Sequence, residues 1–536
     1  MRARKSAAPA AILVAILASA APAAQAAEPV GPSSDDEVSA KKFAAALESF
    51  NARDSQSPDT LNTRLAYADF LTKLDQGDCA ANLDAARNQL DAAKASPTLE
   101  VVLIAGLARL AQVEYQYHLA RSTCGPEADG RDQEELRAAL ASAKRAVEGY
   151  RDAFDAVSMV TMQFNTSVVY RDLGDTEAAT AALQTTIDLD REYGFADDAE
   201  DNYRLLLQWN HEPAGDEQIA ARMQDFPQRS VTLTFGWFDS DADVTLQTDV
   251  AQIAGHGMAH IRVSRTAQRQ VRQRSQRWRV SYHVNEAHYE LGELPTDEVS
   301  MAQFASSLAL MLMHFHDFRV TRNGDFDESK NDFRFEMRVR ADAKALARDL
   351  DARGLDSKGA HSSQLAHLFR SAVGNAQVPE AIGAQIAEDY NLEAGTWIGA
   401  TLEQGVWYDM TALLPVALRA YLMHDIQFAF SRPVSCLPDE KDVSCIEIVL
   451  RATPNPDILK TSLDRLAERS RLAAWQAPQF WSAATMRVVT DPKTLQTYSI
   501  EMHRHTYWSS GEPGPDHSVF EFEKTLLLSG PITRVP

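Results

Sequence analysis

The residues in this chain that could do chemistry are histidines paired with each other or with aspartate. His316-Asp317 and His424-Asp425 repeat the same dipeptide in two similar settings. Adjacent His and Asp can act together in acid–base catalysis or share a metal, so His316, Asp317, His424 and Asp425 are the candidate catalytic residues. His503-Arg504-His505 offers a second chemistry. On a strand, residues two apart share a face, so both imidazoles could hold one Zn²⁺, with His517 as a third ligand. Each group also has a structural reading. A His at a helix C-terminus is favoured by the helix dipole, and a His-x-His strand face beside Tyr507 and Trp508 can simply pack. His314 and His316 repeat that spacing with less strand context. His256 and His260 have helical metal spacing, but Gly255 and Gly257 argue against a helix there.

Two further clusters point to binding. Arg262, Arg265, Arg269, Arg272, Arg274, Arg277 and Arg279 fall in a stretch with no acid between Asp249 and Glu286. Such a strip could hold phosphate or carboxylate groups bidentately, as on an anionic component of a cell envelope. It could equally protect an edge strand from aggregation or dock on the acidic half of the chain. Trp397, Trp407, Tyr408 and Met410, around Gly399 and Gly405, could line a pocket for a small ligand or pack as a sheet corner. The chain has no GxSxG elbow, HExxH helix, GxxxxGK[ST] loop or GxGxxG fingerprint, and no cofactor is called for.

The elements that must position these groups divide the chain. Arg2, Arg4 and Lys5 precede a short apolar run, Ile12-Leu13-Val14 and Ile16-Leu17, and Ala24-Gln25-Ala26 follows. This is the pattern of a signal peptide over 1–26, cleaved after Ala26. It predicts export, to the periplasm or beyond the cell. No later run is long and apolar enough to span a membrane, so the protein is not expected to be integral to one. The formal net charge is −22, with most of the acidity in the first half. Phosphate-backbone binding needs basic patches, so nucleic acid is not an expected partner. The four cysteines, in an exported chain, suggest disulfides. Of three connectivities, Cys79–Cys124 and Cys436–Cys445 keep each bond within one domain.

Residues 27–36 read as a flexible lead-in. From 37 to 226 the chain is rich in Ala and Leu, and its apolar residues recur at helical spacing, as in Leu103, Leu107, Leu110 and Val113. Ala86/Leu90/Ala93, Ala139/Ala143/Ala146 and Ala179/Leu183/Thr186 repeat a four-then-three spacing. Small residues so placed let the second helix of a hairpin approach the first. Tyr170, Gly174, Ala179 and Leu183, with Asp175-Thr176-Glu177-Ala178 opening the second helix, resemble a tetratricopeptide repeat. The resemblance implies a helical-hairpin array with a face for a protein partner. A plain helical bundle supporting the second half is the alternative.

After Phe226-Pro227-Gln228 the texture changes, and 229–536 reads as an α+β domain with a mainly antiparallel sheet. Strands are expected at Val231–Phe238, Trp278–Val284, Phe335–Ala341, Ile446–Ala452, Met486–Val489, Thr497–Met502 and Phe520–Glu523. Two stretches, about 299–355 and 408–470, share the order apolar helix, His-Asp, strand, loop, Glu…Arg-Ala strand, helix. They read as a duplicated unit. The fold class expected is therefore an all-α helical-repeat domain followed by α+β. The function expected is a non-catalytic binding or scaffold protein of the envelope. An envelope hydrolase, metal-dependent or not, with its site in the second half is the alternative.

Overall fold

Side chains spaced three and four apart build the first half, and alternating side chains build the second. The computed structural model describes residues 34–74, 78–96, 99, 105–124, 131–213, 215–224, 230–232, 242–255, 259–273, 276–291, 315–327, 332–341, 401–409, 424–438, 443–454, 479–493, 496–509, 517–529 and 533–535. Among these lie the helices α1 (Ser34–Arg53), α2 (Pro58–Thr72), α3 (Cys79–Lys94), α4 (Gly106–Thr123), α5 (Gln133–Asp152), α6 (Ala156–Asp172), α7 (Thr176–Tyr193), α8 (Ala196–Trp209) and α9 (Asp216–Gln224). Helix α1 opens at Ser34, inside the stretch expected to be a lead-in. The proposed signal segment lies outside the described residues. Among the described residues no helix is long and apolar enough to cross a membrane.

The three copies of the small-residue spacing fall on α3, α5 and α7, and every member is buried. Each of these helices packs on the one before it: α3 on α2, α5 on α4, α7 on α6. The approach is close: a Cβ added to Gly149 of α5 would lie 2.8 Å from the Ala108 Cβ of α4. This arrangement is compatible with a helical repeat. Side-chain caps fix where the helices start. Asp132 accepts from the amides of Glu134 and Glu135, Asp155 from Ser158, and Asp175 from Ala178. Each such cap is worth about 1 kcal/mol relative to alanine.

The second half supplies β1 (Ser230–Thr232), β2 (Ala242–Gly255), β3 (Ala259–Gln273), β4 (Gln276–Leu291), β5 (Phe315–Asp327), β6 (Asp332–Ala341), β7 (Thr401–Glu403), β8 (Trp407–Asp409), β9 (His424–Val434), β10 (Cys445–Pro454), β11 (Gln479–Thr490), β12 (Thr497–Ser509), β13 (His517–Leu528) and β14 (Thr533–Val535). Ten of them form one sheet in the order β2-β3-β4-β13-β12-β11-β10-β9-β8, with β14 also on β4. Its named strand pairs are antiparallel. The chain is thus an all-α region followed by α+β with a mainly antiparallel sheet.

Both His-Asp strands belong to hairpins, β5 with β6 and β9 with β10. Their registers differ by two residues: Asp317 faces Arg340, whereas Asp425 faces Thr453 rather than Arg451. The helices expected to flank these hairpins lie outside the described residues. The Arg-rich strand β3 is not an edge, because β2 pairs along its outer side. Edge protection is therefore not the reason for its arginines.

One part of the sheet sits directly on the helices. Tyr507 of β12 and Val519 of β13 are buried in the same apolar core as Leu61, Leu65, Leu83, Leu90 and Val113 of α2, α3 and α4. Trp481 of β11 packs against that core. At the other end of the contact, the loop 401–409 reaches α7. Gln404 Nε2 donates to the carbonyl oxygens of Glu192 and Ser431. Gly405, at φ 77°, passes so near α7 that a Cβ there would lie 2.8 Å from the Tyr193 carbonyl oxygen. A side chain is excluded at that position on both counts.

Candidate functional site

Between the apolar end and the 401–409 loop, the sheet and helices enclose a cavity of about 690 Å³. Its helical wall comes from the α5–α6 turn (Tyr150–Ala156) with Met159, and from the end of α7 (Leu189, Glu192, Tyr193). Its floor is the sheet: Ser431 and Arg432 on β9, Glu447 and Val449 on β10, Arg487 on β11, Glu501 and His503 on β12.

The floor charges alternate in sign across five neighbouring strands. Arg432 Nε lies 3.3 Å from Glu447 Oε1, and Arg487 Nη1 lies 3.7 Å from Glu447 Oε2. Arg487 also pairs with Glu501. His503 Nε2 is 3.7 Å from Glu501 Oε1, and its Nδ1 is 3.8 Å from Glu523 Oε1 on β13. The register explains this. Arg432 faces Glu447, Arg487 faces Glu501, and His503 faces Glu523, so each pair stands on one face of the sheet. Glu192 of α7 adds a carboxylate to Arg432 from the helical wall. Glu447 is only 5% exposed, and the two guanidiniums beside it offset its burial.

This setting perturbs the titration of the histidines in opposite senses. The Glu501 carboxylate holds His503 above the ordinary imidazole range, with Glu523 adding to the effect. The same partner, with Arg487, holds Glu501 below the carboxylate range. His505 is pushed down to about 4 by burial and by the neighbouring His503 charge. Its Nδ1 lies 3.9 Å from Glu521 Oε1 and makes no hydrogen bond.

Aromatic rings complete the wall. The Arg487 guanidinium lies 5.1 Å from the centroid of Phe154, and the Arg432 guanidinium 5.6 Å from that of Tyr193. Phe154 is at φ 55°, a conformation costly for any residue with a Cβ. The chain supplies a comparison. Tyr150-Arg151-Asp152-Ala153-Phe154-Asp155 ends α5, and Tyr170-Arg171-Asp172-Leu173-Gly174-Asp175 ends α6. The turns are hydrogen-bonded alike: Phe154 N donates to Arg151 O and Asp155 N to Tyr150 O, as Gly174 N does to Arg171 O and Asp175 N to Tyr170 O. At the left-handed position one turn has Gly174, at φ 82°, and the other has Phe154.

The residues singled out from sequence are distributed as follows. His503 and His505 share a strand face, and His503 reaches the cavity. His517 pairs with Ser509, four residues along β13 from the partner of His505, or roughly 13 Å. Among the described residues no group of three His, Cys, Asp or Glu is arranged to hold a metal ion. His316 and Asp317 stand on β5 in the separate two-stranded sheet, and His424 and Asp425 open β9 in the large one. Arg262, Arg265, Arg269 and Arg272 lie on β3, and Arg277 and Arg279 on the neighbouring β4. Arg274 lies outside the described residues. Trp407 and Tyr408 form β8, and Tyr408 Oη accepts from the Glu403 amide at 2.8 Å. Trp397 and Met410 lie outside the described residues. Cys79 and Cys124 approach to a Cα–Cα distance of 6.1 Å, and Cys436 and Cys445 to 5.0 Å, both compatible with disulfides.

Sequence reasoning missed Arg432, Glu447, Arg487, Glu501, Glu192 and Phe154. The available signal was the duplicated Tyr-Arg-Asp-x-x-Asp turn with its Gly-to-Phe exchange. No family model matches the chain, and comparison with curated proteins finds no match.

Proposed function

We propose that this is an exported, non-catalytic binding or scaffold protein of the cell envelope, with a tetratricopeptide-like helical array as its platform. The observation that carries this reading is the ionic face between array and sheet. Arg432, Glu447, Arg487, Glu501, His503 and Glu523 neutralise one another in sequence across the strands. Charges matched in this way hold a surface in one geometry, whereas a general base is usually paired with a nucleophile and a reacting centre. The array also gives its apolar surface at Leu61, Leu65 and Leu90 to Tyr507 and Val519 of its own chain. A protein partner is therefore expected on the opposite helical surfaces. An anionic envelope component would meet the β3–β4 arginines.

The competing reading is an envelope hydrolase. The observation in its favour is His503, an imidazole with a raised pKa between two carboxylates at a cavity wall. In-cell crosslinking followed by affinity purification, with metal analysis of the same sample, separates the two. A specific protein partner without stoichiometric metal supports the scaffold. Metal without a partner, or hydrolysis of envelope material abolished by His503→Ala, sinks it.

A further inference from the structure

The cavity has the size of sites that enclose a small organic ligand. Its lining specifies the charge of that ligand. Asp152, Asp155, Glu192, Glu447 and Glu501 line the cavity with Arg151, Arg432, Arg487 and His503. Arg451 pairs with Asp155 and Glu523 with His503, so one carboxylate remains in excess when His503 is protonated. Helices α5 and α7 both end at the cavity, and a helix C-terminus carries partial negative charge. Helix α6 begins there, but its Asp155 cap already accepts from the Ser158 amide at 3.1 Å.

The rings specify the rest. Tyr150, Phe154 and Tyr193 line the wall, and two of them already carry a guanidinium from the sheet over the ring face. Cation–aromatic contact of this kind strengthens as water is excluded. The twin turn shows that the backbone alone does not require a phenylalanine at 154, since Gly174 adopts the same conformation with less strain.

We infer that this cavity is a binding site for a small organic cation, an amine or guanidinium on a carbon frame. The ammonium or guanidinium pairs with Asp152 and Glu192 at the rim, and the frame lies against Phe154 and Tyr193. This inference rests on the binding-protein reading above and names the ligand class.

The test is isothermal titration of the full mature chain with agmatine and with spermidine, at about 150 mM salt to screen diffuse attraction. Glutarate and 1,4-butanediol are the anionic and neutral comparators. Saturable one-to-one binding of a cation is expected, weakened at least tenfold by Asp152→Asn and by Glu192→Gln. Glu134→Gln, an exposed change in the first turn of α5, removes the same charge at the far end of that helix and should leave binding intact. Asp152 is itself exposed, so its variant keeps the fold, which circular dichroism verifies. Absence of saturable cation binding overturns the inference. So does preference for glutarate, or equal weakening by Glu134→Gln. If the cations fail while the crosslinked partner is still captured, the ligand class falls and the binding-protein reading stands. If no partner is captured and a bound amine is turned over, the binding-protein reading falls.

Discussion

Arg451 Nη2 lies 2.8 Å from Asp155 Oδ1, while its guanidinium carbon sits 4.3 Å from the centroid of Trp407. One side chain on β10 therefore ties the sheet to the start of α6 and also covers the edge strand β8. The two contacts can be separated. Asp155→Asn removes the charge but keeps a good helix cap, and should cost about 1 kcal/mol or less. Arg451→Ala loses the stacked, half-buried guanidinium as well and should cost about 1 to 2 kcal/mol. Urea unfolding of both variants checks the ranking. Equal losses would mean that the Trp407 contact contributes nothing.

The twin turns give a prediction against the usual order of substitutions. At most positions glycine is the more destabilising replacement. At Phe154 the left-handed backbone favours it, so Phe154→Gly should be more stable than Phe154→Ala by about 1 kcal/mol. At Gly174 an added Cβ meets nothing within 4 Å, so Gly174→Ala should cost about 1 kcal/mol through backbone strain alone. Thermal unfolding of the three variants tests both statements.

Asp190 is fully buried on α7, where its Oδ2 accepts from Asn202 Nδ2 at 2.8 Å and its Oδ1 has no hydrogen-bond partner. Burial pushes its carboxyl up to about 7. The folded state then binds the extra proton between the ordinary carboxylate range and about pH 7. Its contribution to stability is present below that range and is lost as pH rises through about 7. Asp190→Asn removes the titration. The variant should gain on the wild type by on the order of a few kcal/mol between pH 5 and pH 8. A stability difference independent of pH would show that Asp190 is not the titrating group.

The cysteine pairs should differ in weight. Cys79 and Cys124 are 45 residues apart and join α3 to the end of α4, whereas Cys436 and Cys445 are 9 apart. Thiol titration of the unfolded protein should find no free thiol before reduction. Replacing the first pair with serine should cost about 2 to 4 kcal/mol, and replacing the second less, because the shorter loop loses less chain entropy. Four titratable thiols in freshly purified, unreduced protein would contradict both bonds.

Local periodicity made much of the fold legible. Ala139, Ala143 and Ala146 announce a close-packed helix face because helical neighbours are three and four residues apart. Met486–Val489 and Thr497–Met502 announce strands because Asp491-Pro492 breaks the chain between them. The cavity was not legible for the same reason. Arg432, Glu447, Arg487 and Glu501 each look like an ordinary outward residue on its own strand. Only the register of β9 to β12 lines them up, and which residue faces which across paired strands leaves no mark on any one strand. The histidine dipeptides drew attention by being adjacent in sequence, which says little about what a sheet brings together.

The order of the strands also sets a timetable for folding. Tyr282 of β4 donates to the Thr497 carbonyl oxygen, 215 residues further on, and β4 pairs along β13, near the end of the chain. The helices close through near-neighbour contacts and can form while the chain is still emerging. The middle of the sheet must wait for the final strands. During that interval β3 and β4 can pair with each other but not with β13, leaving one flank of β4 open to wrong partners. Deleting β13 and β14 should therefore lead to aggregation of the sheet half, a failure of assembly order, while the helices still form but lose the Val519 contact with the α2–α4 core.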